Sequence, residues 1–158
     1  MGESSEFLFR GARALTILHE RQLRSFVACW RRAKAAGVGL PESREPAYLS
    51  LQALLLHVLE EARECMTWIC EQLGLPEHGI DPLPNGSDLD ERIDAYLEHL
   101  LERWRLPLRR VPPDRFYDAA YPEEWGESYT IAARLEHALA HPMRHELQLE
   151  ELIAASGA

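Results

Sequence analysis

The sequence has few cysteines, few basic residues and no long apolar run. Three cysteines, an odd number in a chain of 158 residues, make no disulfide framework, and a chain of this length can bury enough apolar surface to fold without one. A reducing, cytoplasmic setting is the expectation. No stretch approaches the roughly 20 apolar residues of a membrane-spanning helix. The opening Met1-Gly2-Glu3-Ser4-Ser5-Glu6 is acidic where a signal peptide is basic, so neither a membrane nor a secretory route is expected. Lys and Arg number 17 against 26 Asp and Glu, for a formal net charge of -9. A phosphate-backbone binder needs a basic face to release counterions, so nucleic acid is not an expected partner.

Several chemistries are missing as well. There is no Gly-rich phosphate loop. A zincin needs H-E-x-x-H, whereas this chain reads His145-Glu146-Leu147-Gln148-Leu149 and lacks the second histidine. A carboxylate-bridged di-iron bundle needs E-x-x-H on two helices, and no histidine here follows a Glu by three. Cys65 and Cys70 are five apart, the wrong spacing for a zinc knuckle or a redox C-x-x-C, and read as buried free thiols.

What the sequence does have is proline in three places. Nine of ten prolines fall in gaps at Pro41 and Pro46, at Pro76, Pro82 and Pro84, and at Pro107, Pro112, Pro113 and Pro122; the tenth, Pro142, stands apart. Proline ends helices, and the four segments between these gaps carry apolar residues at helical spacing. The pattern predicts an all-α fold with four helices and no sheet, at about 4–36, 47–74, 87–106 and 127–154, as one domain over 1–158. The expected core stripes are Leu8, Ala12, Leu15, Phe26 and Trp30; Leu51, Leu55, Val58, Ala62, Met66, Ile69 and Leu73; Leu89, Ile93, Tyr96, Leu100 and Trp104; and Ile131, Leu135, Ala138, Leu149 and Ile153. Gly37 and Gly74 read as C-terminal caps and Ser87-Asp88 as N-terminal caps. Short first and second connections with a longer third, about Pro107 to Gly126, suit a four-helix bundle with one crossover.

Three of the seven histidines, His137, His141 and His145, follow one another at four-residue steps on the fourth helix. Residues four apart share a helix face, so an H-x-x-x-H pair can present two imidazoles to one ion. With each residue advancing about 100 degrees, His145 falls on the edge of the core stripe, His141 roughly 90 degrees from its centre and His137 further toward solvent. His141 with His145 is the favoured pair, although the same row also fits solvent-facing histidines on an amphipathic helix. A third ligand is needed from elsewhere. His57 is the best placed, yet periodicity sets it more than roughly 100 degrees from the stripe, beside Glu60, Glu61 and Glu64. His19 lies on a core stripe and reads as a buried histidine, with a supporting or fourth-ligand role open. His78 in a loop and His99 in a charged cluster read as structural. Pro142 between the favoured pair should kink or restart the helix.

The string Leu135-Glu136-His137-Ala138-Leu139-Ala140-His141-Pro142-Met143-Arg144-His145-Glu146-Leu147-Gln148-Leu149-Glu150, with Leu56-His57-Val58 upstream, resembles the DinB/YfiT-like metalloenzyme family. That pattern has one histidine on the second helix and H-x-x-x-H followed by R-G-Q-I or similar on the fourth. Here Glu146-Leu147 stands where Arg-Gly is common, and Pro142 separates the ligands. The resemblance implies a metal triad of His57, His141 and His145 and a divalent ion such as Zn²⁺, Ni²⁺ or Mn²⁺. It also implies low-molecular-weight thiol S-transfer to an electrophile, the metal lowering the pKa of a bound thiol or water.

Two other functions fit the same residues. One is a metal-dependent hydrolase with Glu61, four residues after His57, as base. The other is a stress-associated helical bundle without enzymatic activity. A homodimer is compatible with either, with Trp68 or Trp125 at its face or packed locally.

Overall fold

The computed structural model describes residues 7–84, 89–117, 120–124 and 126–157. It is an all-α bundle of four helices, α1 (Arg10–Ala35), α2 (Leu51–Leu73), α3 (Leu89–Trp104) and α4 (Ile131–Ser156), with a small two-stranded sheet. No helix among the described residues is long and apolar enough to cross a membrane.

Local chemistry sets the helix ends. Ser50 and Thr130 cap α2 and α4, their hydroxyls accepting from the backbone N–H of Ala53 and Ala133, which satisfies donors the helix cannot reach. α2 stops at Gly74, whose φ of 64° is left-handed; Leu75 N–H returns to Cys70 C=O at 2.8 Å. Added side-chain bulk at Gly74 would meet nothing within 4 Å, so the cost of a side chain there is in the backbone alone. Gly74→Ala is expected to lower the urea midpoint by an amount equivalent to about 1–2 kcal/mol with an unchanged m-value.

The expected ends shift in places. Residues 4–6 and the Ser87-Asp88 caps lie outside the described residues. Leu8 is not a core residue: it is 63% exposed and precedes α1, its backbone N–H held by Arg109 C=O at 3.0 Å. α2 begins at Leu51 because Pro46–Tyr48 forms a separate 3-10 turn. The expectation of no sheet is corrected: Tyr121–Pro122 (β1) and Ser128–Tyr129 (β2) pair antiparallel, Tyr121 opposite Tyr129. Gly126 at φ 87° turns the chain between them, and strands of two residues are too short for alternation to register. α4 runs unbroken through Pro142, so the helix does not restart there, although proline removes one backbone donor.

The core lies between the helices, with Phe26, Leu54, Leu55, Leu59, Met66, Ile69, Ile93, Leu100 and Trp104 wholly buried. α1 and α4 share the most extensive interface, while α2 touches α1, α3 and α4. Buried indole N–H groups find partners, Trp104 on Ala62 C=O at 2.9 Å and Trp30 on Leu51 C=O at 2.6 Å. Trp68 is buried, donates to Pro122 C=O and meets Tyr121 edge-on, so it packs locally against the small sheet; Trp125 lies outside the described residues.

Two of the histidines pin the connection after α2. His78 Nδ1 accepts from Ile80 N–H at 2.9 Å, which leaves its Nε2–H to donate to Thr67 Oγ1 at 2.8 Å. His99 Nε2 accepts from Asp81 N–H at 3.0 Å, and Tyr96 donates to Asp81 C=O. Both therefore serve the structural role their sequence positions suggested.

Candidate metal centre

The histidines of α2 and α4 meet where the two helices pack. His141 and His145, one turn apart, are buried, and His57 is half-buried and reaches them from α2. His141 Nε2 lies 3.0 Å from His57 Nε2 and 3.3 Å from His145 Nε2, and the three ligand atoms all lie within 4.8 Å of one another. Nitrogens about 2.0–2.1 Å from one ion at angles between octahedral and tetrahedral are separated by about 2.9–3.4 Å. The two separations from His141 fall inside that interval, while the bound for the whole set, 4.8 Å, lies outside it, so the rings would draw together around an ion.

The groups around the rings bear on which nitrogens carry protons. His145 Nδ1 lies 2.9 Å from Gln148 Oε1, an acceptor, so the ring's proton sits on Nδ1 and its Nε2 offers a lone pair. A neutral imidazole has a single N–H, and the short contacts between rings are compatible either with a ring-to-ring hydrogen bond or with lone pairs directed at a shared cation. One cation accepts three lone pairs at once. Gln148 therefore does what supporting groups around metals do, fixing tautomer and ring direction. His141 Nδ1 is buried with no hydrogen-bond partner among the described residues.

Burial also sets the charge state. The pKa of His141 is pushed down to about 3, by burial first and then by His145 and His57; those of His57 and His145 are lowered too, with burial as the largest cause. All three rings are neutral at pH 7, the form that binds metal. Tyr48 closes one side, its ring centroid 5.8 Å from that of His145 and 6.4 Å from that of His57.

The geometry separates the remaining candidates. Periodicity alone set His57 toward solvent; it is half-buried because α2 has neighbours on several sides, and the side carrying His57 faces α4. His137 stays apart, half-buried with ring centroids 6.0 Å from Tyr129 and 6.4 Å from His141. His19 is fully buried away from the triad, stacked on Trp104 at 4.1 Å. Glu61 is not a free base: its carboxylate accepts from Arg134 Nη1 at 2.9 Å.

Arg134 itself went unnoticed in the sequence. It is 2% exposed and bridges Glu61 and Glu123, the latter 2.8 Å from its Nε. The available signal was an arginine within the stripe of Ile131, Leu135 and Ala138. The three thiols are buried and free, and burial raises Cys65 to about 12 and Cys70 to about 11, so both stay protonated at neutral pH. No protein-family model, curated protein or solved structure matches the chain.

Proposed function

We propose that His57, His141 and His145 hold a divalent transition ion such as Zn²⁺, Ni²⁺ or Mn²⁺, and that the protein transfers a low-molecular-weight thiol to an electrophile, as its resemblance to the DinB/YfiT-like metalloenzymes implies. The observation that supports this reading is the convergence of three ring nitrogens from two helices, His57 and His141 being 84 residues apart in sequence. When bound, such an ion supplies a Lewis acid that lowers the pKa of a coordinated thiol. The chain's own residues prepare the place. Burial keeps the imidazoles neutral, Gln148 holds the His145 proton on Nδ1, and Tyr48 shields one flank. Because the protein's cysteines are buried and protonated, the reacting thiol comes from outside. The hydrolytic alternative needs Glu61 free, and its pairing with Arg134 makes thiol transfer the better supported of the two.

Elemental analysis of untagged protein is expected to find about one equivalent of a transition metal, falling below about a tenth in the His141→Ala/His145→Ala variant. Adding the ion at a hundredfold excess over Kd should stabilise the parent, first stripped of metal, by about 2.7 kcal/mol and leave the variant unmoved. A metal-free parent whose melting temperature ignores Zn²⁺, Ni²⁺ and Mn²⁺ would overturn the site and leave a helical bundle. The loaded protein should consume an electrophile with glutathione, mycothiol or bacillithiol; no turnover with any of them would remove the transferase assignment.

A further inference from the structure

Beside the triad, between the 38–50 connection and the C-terminal half of α4, lies a cleft of about 410 Å³. Tyr48 and Gln148 belong to both places, lining the cleft while each touches His145. The volume falls in the roughly 300–1,000 Å³ range of small-molecule sites. Leu40, Pro41, Leu54 and Leu152 give it apolar walls.

Its charge is of one sign. Glu42 and Glu151 line it and no Lys or Arg does; Arg44 and Arg144 lie outside the lining. Several acidic groups elsewhere are paired, Glu98 and Glu20 with Arg24, Asp94 with Arg31, Glu61 and Glu123 with Arg134, while others such as Glu64 and Glu124 line a groove that also holds Arg134. Neither Glu42 nor Glu151 has a hydrogen bond or ion pair with any described residue. Two unneutralised carboxylates over an apolar floor attract a cation, and they repel an anion of the same shape.

We infer that this cleft takes a small molecule with an apolar body and a single ammonium group, which it holds next to the histidine triad. That role rests on the metal-site reading; the charge preference of the cleft does not. The apolar body lies against Leu40, Leu54 and Leu152, and the ammonium meets Glu42 and Glu151. An anionic thiol would be disfavoured in this cleft relative to a cationic acceptor of the same size.

The test pairs two probes of nearly equal shape and opposite charge, 4-phenylbutylammonium and 4-phenylbutyrate, titrated at pH 7 into the full-length, metal-loaded protein by calorimetry. The ammonium is expected to bind at least about tenfold more tightly than the carboxylate. In the Glu42→Gln/Glu151→Gln variant, whose substitutions sit on the exposed rim, the two affinities should come within about threefold. Equal or tighter binding of the carboxylate would overturn the inference, as would silence of both probes up to about 10 mM. An ammonium preference that survives in the double variant would also overturn it, since the net-acidic surface and not the cleft would then be the cause. Metal content of the same samples keeps the two proposals apart. An ammonium preference in a metal-free protein removes only the histidine-site reading, and a loaded protein without the preference removes only the cleft.

Discussion

An Arg134→Leu variant is expected to lose about 3–5 kcal/mol of folding stability, the cost of breaking a buried ion pair from one side. The guanidinium lies on the inner face of α4, 2.9 Å from Glu61 on α2 and 2.8 Å from Glu123 before β2. The side chains of Glu61 and Glu123 are only 17% and 6% exposed, so removing the cation strands two carboxylates with little water to receive them. Arg134→Lys should fall between parent and Leu, because a point charge cannot reproduce the planar fork that reaches both acids. Glu123→Gln should cost less in the Arg134→Leu background than in the parent, since the charge it removes is by then a liability. Urea unfolding of the set decides it. A loss below about 1 kcal/mol for Arg134→Leu would mean that the cluster is solvated and behaves as a surface pair.

The second large effect is acid sensitivity through His19. Its ring is fully buried against Trp104, neither ring nitrogen has a hydrogen-bond partner among the described residues, and burial lowers its pKa from 6.5 to about 3. The unfolded chain takes up the proton first, so stability falls as pH drops below the unfolded value and goes on falling until about the folded value. From these two values the loss between pH 7 and pH 5 is about 2 kcal/mol from this residue alone. His19→Leu, similar in volume, should stay within about 1.5 kcal/mol of the parent at pH 7. At pH 5 it should have lost about 2 kcal/mol less than the parent has. Parallel stability curves for the two proteins from pH 7 to pH 5 would show that His19 does not carry the effect.

Much of the fold was legible because its punctuation is local. The prolines and Gly74 delimit helices through backbone chemistry that needs no tertiary partner, and the four helices follow. Leu8 was misplaced because what decides its backbone is the carbonyl of Arg109, about a hundred residues on, which no periodicity contains. The paired strands at Tyr121 and Tyr129 escaped because two residues carry no period. The same division runs through the site. His141 and His145 are one turn apart on a single helix, so angle alone could select them. Which side of α2 faces inward depends on where α4 lies, and for that reason periodicity set His57 toward solvent. Arg134 shows the limit most sharply: a charge on an apolar stripe becomes intelligible only when Glu61 and Glu123 arrive from two other parts of the chain.

The extensive packing of α1 on α4 also sets a schedule. Residues 36–130 separate the two helices, and at roughly 5–20 residues per second a ribosome takes about 5 to 20 s to make them. Throughout that interval α1, whose Leu23, Phe26 and Val27 are buried in the finished protein, lacks the helix it packs against most extensively. His57 emerges in the same period without His141 or His145, so the three imidazoles can meet only after α4 has been made.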